Sequence, residues 1–271
     1  MSNSKIPIYV SLTSIFKNQS VLLETLQSII KQTRKPDKIF LYLSEDPSFF
    51  DNGFKNKKIT NTELLKFINN NSIIKIKWGK EMGPYGKLLP ILKEKWEEDC
   101  IIITLDDDTI YDENLIKNLV DDYNKHKCLI CYRGFTPLSE NLNNFDYLKR
   151  KEKTKKISLY NFPTGKGGVL YKPEFFHKTN NLIFNEKIYL NCCDKQDDIW
   201  FYLIRIINNI NCYIDNKKWL KQDLTNGNGL YSNFNMHNNN NTIVLKRTVN
   251  KLKELSNQKK KIKNNNRLIF L

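Results

Sequence analysis

Apolar and polar positions alternate at the start of the chain. Ile6, Ile8, Val10 and Leu12 are separated by Pro7, Tyr9 and Ser11, which is the period of a strand. Val21, Leu22, Leu26, Ile29 and Ile30 then recur at helical spacing, with Ser20 as a candidate N-cap. Ile39 to Leu43 is a short unbroken apolar run, as expected of a strand buried on both faces. Leu64, Leu65 and Ile68 predict a second helix, and Ile73, Ile74, Ile76 and Trp78 a further strand. A third helix is expected around Lys87 to Trp96, ahead of Ile101 to Leu105, the most hydrophobic strand. Alternating strand and helix predicts an α/β fold, a mostly parallel sheet with helices on both faces.

Beyond Leu105 the pattern is less regular. Leu115 to Tyr123 reads as helix, Leu129 to Tyr132 as strand, and residues 149–156 (KRKEKTKK) as a charged loop. Gly165, Gly167 and Gly168 mark a tight turn before Val169 to Tyr171. After Asp198, the residues Ile199, Trp200, Leu203, Ile206 and Ile207 form one side of an amphipathic helix. From Thr225 the chain is Asn-rich, and Gln258 to Arg267 reads as a basic, mobile tail.

The 271 residues are 40% hydrophobic, enough to bury a core, which excludes wholesale disorder. No stretch approaches the ~20 apolar residues that cross a bilayer. Met1 to Lys5 leads into the first strand without an apolar segment, so neither a secretory signal nor an anchor is expected. The net charge of +15, from 44 basic and 29 acidic residues, favours phosphate-bearing partners or an anionic membrane surface, or else reflects a composition rich in Lys, Asn and Ile. Six cysteines include one CxxC, Cys128 to Cys131, inside an apolar run that reads as a buried strand rather than a zinc or redox site. Reduced thiols and a cytoplasmic location are expected.

The densest local chemistry follows Ile101 to Leu105, where Asp106, Asp107 and Asp108 end the strand. Ligands of open α/β sheets bind at that carboxyl edge. In an extended segment Asp106 and Asp108 point the same way, and two hard oxygen ligands suit Mg2+ or Mn2+ held jointly with substrate phosphates. A solvated acidic turn capping the next helix is the competing reading. Asp197 and Asp198 stand at the start of another helix, where capping accounts for one of them.

In chain order the segments are Ser11-Leu-Thr-Ser14, Ser44-Glu-Asp46, Gly83-Pro-Tyr-Gly-Lys87, Thr104-Leu-Asp-Asp-Asp108, Phe162-Pro-Thr-Gly-Lys-Gly-Gly168 and Asp197-Asp-Ile-Trp200. Over residues 6–215 the series resembles the GT-A fold of nucleotide-sugar glycosyltransferases, in particular the inverting family 2 glycosyltransferases of bacteria and large DNA viruses. The resemblance implies a Rossmann-like single domain. Its residues 1–110 would bind the nucleotide sugar, residues 111–257 would bind the acceptor and carry catalysis, and 258–271 would form the basic tail. Asp106 and Asp108 match the carboxylates that hold Mn2+ or Mg2+ on the diphosphate, and Asp107 the position facing the donor sugar or ribose. Ser11 and Thr13 match the nucleotide-facing segment, and Glu45 or Asp46 the acid that contacts the uracil or ribose. Asp198, with Asp197, matches the acidic pair that supplies the base. Gly167 and Gly168 border the acceptor, as does Trp200. Lys87 either contacts the diphosphate or is solvated on a helix surface, and His237 is the candidate third metal ligand.

The implied activity is metal-dependent, inverting transfer of one sugar from a nucleotide diphosphate sugar, a UDP-sugar by preference, to a hydroxyl of a glycan, lipid or protein acceptor. The processive QxxRW element is absent, Lys217 to Leu220 being no match, which argues against polymer synthesis. A metal-dependent nucleotidyltransferase is the alternative, but Ser11 to Ser20 lacks the glycines of a phosphate loop. A nucleic-acid-binding protein would interleave its basic runs with aromatics, and the runs at 149–156 and 258–263 contain none, so no nucleic-acid partner is expected. The tail is the expected point of peripheral contact with an anionic membrane.

Overall fold

The computed structural model describes residues 6–48, 50–218, 221–224 and 239–262. Its first half runs β1 (Ile8–Thr13), α1 (Gln19–Ile30), β2 (Lys38–Ser44), α2 (Thr62–Asn70), β3 (Ile74–Gly79), α3 (Leu89–Glu94) and β4 (Ile101–Thr104). Next come β5 (Thr109–Tyr111), α4 (Leu115–His126), β6 (Leu129–Cys131), β7 (Gly134–Phe135), β8 (Ile157–Ser158), β9 (Phe162–Pro163) and β10 (Val169–Tyr171). The chain closes with α5 (Asn180–Ile183), α6 (Glu186–Cys193), α7 (Asp197–Ile207), β11 (Cys212–Ile214), β12 (Lys221–Asp223) and α8 (Asn240–Ile262).

The central sheet has eight strands in the order β3-β2-β1-β4-β10-β6-β11-β8, and helices flank it. The central strands read as unbroken apolar runs because both of their faces are covered. Ile8, Val10, Leu12, Leu41, Ile102 and Ile103 are all fully buried, each side chain contributing about 1.5–3 kcal/mol of burial free energy. β1 pairs in parallel with β2 and β4, placing Ser11 between Phe40 and Thr104. The carboxyl ends of β1 and β4 therefore lie side by side. β10 runs antiparallel to β4, with Val169 opposite Thr104. A reversed strand presents its beginning at that edge, so the glycine turn preceding Val169 arrives where β1 and β4 end. The mostly parallel α/β sheet expected from the sequence is the observed one.

Three local expectations are corrected. α1 begins at Gln19, with Asn18 rather than Ser20 in the cap position; the Asn18 side chain makes no cap hydrogen bond, and its amide N–H donates to Asp107. Lys87 lies in a 3-10 turn, Gly83–Lys87, and the third helix starts two residues later with a proline in its first turn, where a missing N–H costs nothing. α8 extends to Ile262, so residues 258–262 are helical rather than part of a tail. Val244, Leu245, Val249 and Leu252 of α8 are buried and seed the helix, which then propagates through lysines that favour it. Residues 263–271 lie outside the described residues.

All six cysteines are free thiols and buried, Cys131 within β6 as the apolar run around it predicted. Among the described residues no helix is long and apolar enough to cross a membrane.

Candidate active site

The Gly83–Lys87 turn is clamped from two sides. Tyr85 is fully buried and donates its hydroxyl to the Cys193 carbonyl at the end of α6. Gly86 lies against the end of β1, where an added Cβ would meet Thr13 Oγ1 at 2.9 Å. Held this way, the turn drives Lys87 inward, leaving it 9% exposed. Its Nζ stands 3.0 Å from Asp106 Oδ1 and 3.3 Å from Asp197 Oδ2. The Asp197 oxygen makes this ion pair yet has no hydrogen-bond partner among the described residues.

Asp198 completes the group from the first turn of α7. Its two carboxylate oxygens accept the Gly165 N–H at 3.1 and 3.3 Å. The glycine turn is fixed by Thr164, whose N–H donates to the Arg133 carbonyl at 2.9 Å and whose hydroxyl accepts from Arg133 Nη1 at 2.9 Å. Gly167 packs on Arg133, where an added Cβ would lie 2.5 Å from the arginine Cβ. Gly168 has φ +80°, a left-handed conformation that glycine adopts without strain. Tyr111 ties the turn to the strand end: its hydroxyl accepts the Asp106 N–H at 2.9 Å and donates to the Lys166 carbonyl at 3.4 Å.

The electrostatics follow from burial. Desolvation alone would lower the Lys87 pKa, but Asp106, Asp197 and Asp198 outweigh it and hold the ammonium well above its ordinary value. Burial pushes the carboxyls of Asp197 and Asp198 up. Lys87 opposes that rise in both, while Asp106 adds to it as a like charge. Lys87 thus pairs directly with Asp106 and Asp197, and its charge, with that of Arg133, also opposes the rise at Asp198.

The remaining sequence candidates divide. Asp107 turns its carboxylate back toward the β1–α1 connection, accepting from the Ser14 hydroxyl and, at 3.1 Å, from Asn18 Nδ2. Burial, with the charge of Asp106 behind it, pushes its pKa up to about 6 against those hydrogen bonds. Asp107 and Asp108 form a turn between β4 and β5 rather than an extended segment, so the same-side argument for Asp106 and Asp108 does not describe the backbone. Asp108 Oδ1 accepts the Thr109 hydroxyl at 3.2 Å. Thr13 is half-buried and donates its hydroxyl to the Tyr42 carbonyl at 3.1 Å. Glu45 lies 3.9 Å from Lys57, and exposed Asp46 accepts the Glu81 N–H at 3.1 Å.

Two candidates are corrected outright. Ser11 is 0% exposed in the middle of β1, too deep in the sheet to face a nucleotide. Trp200 is likewise 0% exposed and donates Nε1–H to the Ile183 carbonyl, so it belongs to the core and not to an acceptor surface. Neither Asp197 nor Asp198 caps α7 with its side chain, the cap position being Gln196. His237 lies outside the described residues. Sequence reasoning missed Gly165, Tyr111 and Arg133. Only Gly165 carried a signal, as the first glycine of the turn.

Among the described residues, no group of three or more His, Cys, Asp or Glu side chains is arranged to hold a metal ion. Asp106 and Asp108 are two carboxylates in one strand-end turn. That donor set fits an ion whose other ligands come from substrate phosphates and water, the usual way Mg2+ is held.

No family model and no curated protein sequence matches the chain. Solved structures do. S. aureus TarS 1–349 in complex with UDP superposes with TM-score 0.51 and 14% identity, over 80% of this chain and 60% of that one. S. aureus TarS 1–349 gives TM-score 0.53 and 13% identity over 94% of this chain and 74% of that one. The longer S. aureus TarS structure gives 0.51 and 14%, with 36% of its length covered. The chain thus spans 60% of the UDP-bound structure it matches. At such identities the likeness is one of fold, and with the sheet described above it gives this chain a GT-A, Rossmann-like α/β fold.

Proposed function

We propose that the protein is an inverting glycosyltransferase that moves one sugar from a nucleotide diphosphate sugar, preferentially a UDP-sugar, to an acceptor hydroxyl. The observation that carries this reading is the meeting of Lys87, Asp106, Asp197 and Asp198 at the carboxyl edge of the sheet, against the glycine turn. Sugar transfer needs a cation on the leaving phosphate and a separate carboxylate for the acceptor proton. The cluster supplies both, and no further nucleophile is required.

In this mechanism Asp198 takes the acceptor proton, because it is half-buried while Asp197 is only 6% exposed and is paired with Lys87. The acceptor oxygen attacks the anomeric carbon. The bond from that carbon to the phosphate oxygen breaks, and its electron pair leaves with the nucleoside diphosphate. Lys87 exchanges its contact with Asp106 for the departing phosphate and neutralises part of its charge. Asp106 and Asp108 would hold Mn2+ or Mg2+, which when bound supplies further charge neutralisation there. The Gly165 N–H keeps the Asp198 carboxylate oriented. Thr13, Glu45 and Asp46, at the ends of β1 and β2, are the proposed contacts of the nucleoside. Gly167 and Gly168 border the acceptor, which is a glycan, lipid or protein.

The test is release of nucleoside diphosphate from UDP-, GDP- and dTDP-sugars, with and without Mn2+. Release from one of them that Asp198→Asn abolishes supports the reading. No release from any of the three, together with pyrophosphate formation from nucleoside triphosphates, would make the protein a nucleotidyltransferase.

A further inference from the structure

Residues 136–151 form an ordered hairpin. The Lys151 N–H donates to the Thr136 carbonyl at 3.0 Å, the Leu138 N–H to the Lys149 carbonyl at 3.3 Å, and Pro137 bridges Arg150 in antiparallel fashion. Its inner side is packed: Leu142, Phe145 and Tyr147 are buried, and the Arg150 guanidinium lies 4.2 Å over the Phe135 ring. The Tyr147 N–H donates to Thr242 Oγ1 in α8 at 2.8 Å, fastening the hairpin to a helix. On this fixed support Leu138 and Leu148 are 60% and 62% exposed, the highest values for large apolar side chains among the described residues.

The same hairpin opens the most basic run of the described chain. Residues 149–156 carry six basic side chains against one acid. Glu140, Asp146 and Asp215 pair with Lys155, Lys149 and Lys156, whose side chains lie at the surface, and with Glu152 these acids still fall short of the six basic side chains. Isolated apolar side chains are ordinary on a surface. Two leucines held out on a rigid support beside such a run are different, because the chemistry that satisfies both at once is an anionic lipid surface. Acyl chains take the leucines, and headgroup phosphates take the lysines, whose long stems reach across the boundary.

We propose that the 136–151 hairpin and the basic run 149–156 dock the protein on an anionic bilayer, with Leu138 and Leu148 inserted and the basic run on the headgroups. A soluble polyanion such as nucleic acid would use the lysines and ignore the leucines, so the leucines decide between the two.

The experiment is sedimentation of the full chain with vesicles of phosphatidylcholine alone and of phosphatidylcholine mixed with phosphatidylglycerol. Wild type is expected to bind the mixed vesicles, more weakly as salt rises, and not the neutral ones. The Leu138→Ser/Leu148→Ser double variant should lose about tenfold or more in partitioning. Lys149→Glu/Lys153→Glu should abolish binding, and Leu65→Ser, at another exposed site, should change nothing. Because all these positions are exposed, unaltered melting temperatures separate lost docking from lost folding. No binding of wild type to mixed vesicles overturns the proposal. So does binding that depends on the lysines but not the leucines, and so does binding lost only when residues 263–271 are removed. Vesicle binding is read without any enzymatic assay, so its outcome is independent of the glycosyltransferase reading.

Discussion

Gly165 approaches Lys87 so closely that an added Cβ would meet Nζ at 2.6 Å, and Asp198 Oδ1 at 3.4 Å. Its backbone is not left-handed, so the neighbours and not the dihedral angles demand glycine here. The obstructing atom is the end of a flexible chain, which can move. Gly165→Ala should therefore fold, with a melting temperature within a few degrees of wild type. It should displace the ammonium from its carboxylates and cost about 10²-fold in donor turnover, the effect of a reacting group misplaced by an ångström. Wild-type turnover in Gly165→Ala would show that the Lys87 position is not used.

Removing the cation itself should expose the repulsion it holds in check. Lys87→Met leaves Asp106, Asp197 and Asp198 without their common partner, at a cost of about 3 kcal/mol when all are ionised. Lys87 lowers the pKa of Asp197 and Asp198, so its loss raises both further. A carboxyl with a raised folded pKa contributes stability at low pH that disappears as pH rises through that pKa. The deficit of Lys87→Met should accordingly be larger near about pH 8 than near about pH 5. Urea unfolding of both proteins at the two pH values checks this, and an equal deficit at both refutes it.

Asp198→Asn keeps the side-chain size and removes the basicity. Loss of a general base costs about 10²–10⁴-fold in rate, while the Gly165 N–H retains an acceptor in the amide oxygen, so stability should change little. The measurement is sugar transfer at saturating donor alongside the melting temperature. Transfer within a few-fold of wild type would move the role to Asp197, whose Asn variant is then decisive.

Asp108→Asn should weaken Mn2+-supported nucleotide binding by about tenfold or more, as expected from removing one charge beside a divalent ion. The fold should survive, because Asp108 is half-buried at a strand end. Nucleotide affinity that is unchanged by this substitution and by a chelator would exclude the carboxylates as metal holders.

The fold was legible where burial imposes an unbroken apolar run, as in Ile101 to Leu105, and where strand and helix alternate. The candidate site was legible only in part. Asp106 stands out because it ends an apolar run, and Asp198 because it opens one. Lys87 does not, since what buries it is Tyr85 locked to Cys193 and Gly165 brought in by β10, contacts that no local pattern encodes. Trp200 misled because α7 is buried nearly all round, and a helix apolar on every side gives no clue to which face meets a ligand. Ser11 misled for the matching reason: a strand covered on both faces can bury a small hydroxyl as readily as a methyl group.

The late place of β10 in the chain, far behind its neighbour β4, carries a cost during synthesis. Ribosomes deliver the amino-terminal end first, so β1 to β4 can pair while β10 is still unmade. Until Tyr171 has been added, the Ile102 to Thr104 flank has nothing of its own to bond to on that side. An apolar strand edge left open recruits strands from other molecules. Yield in a heterologous host should thus be decided in that interval, and slower chain growth at low temperature should lengthen the exposure even as it weakens the hydrophobic association that makes it dangerous.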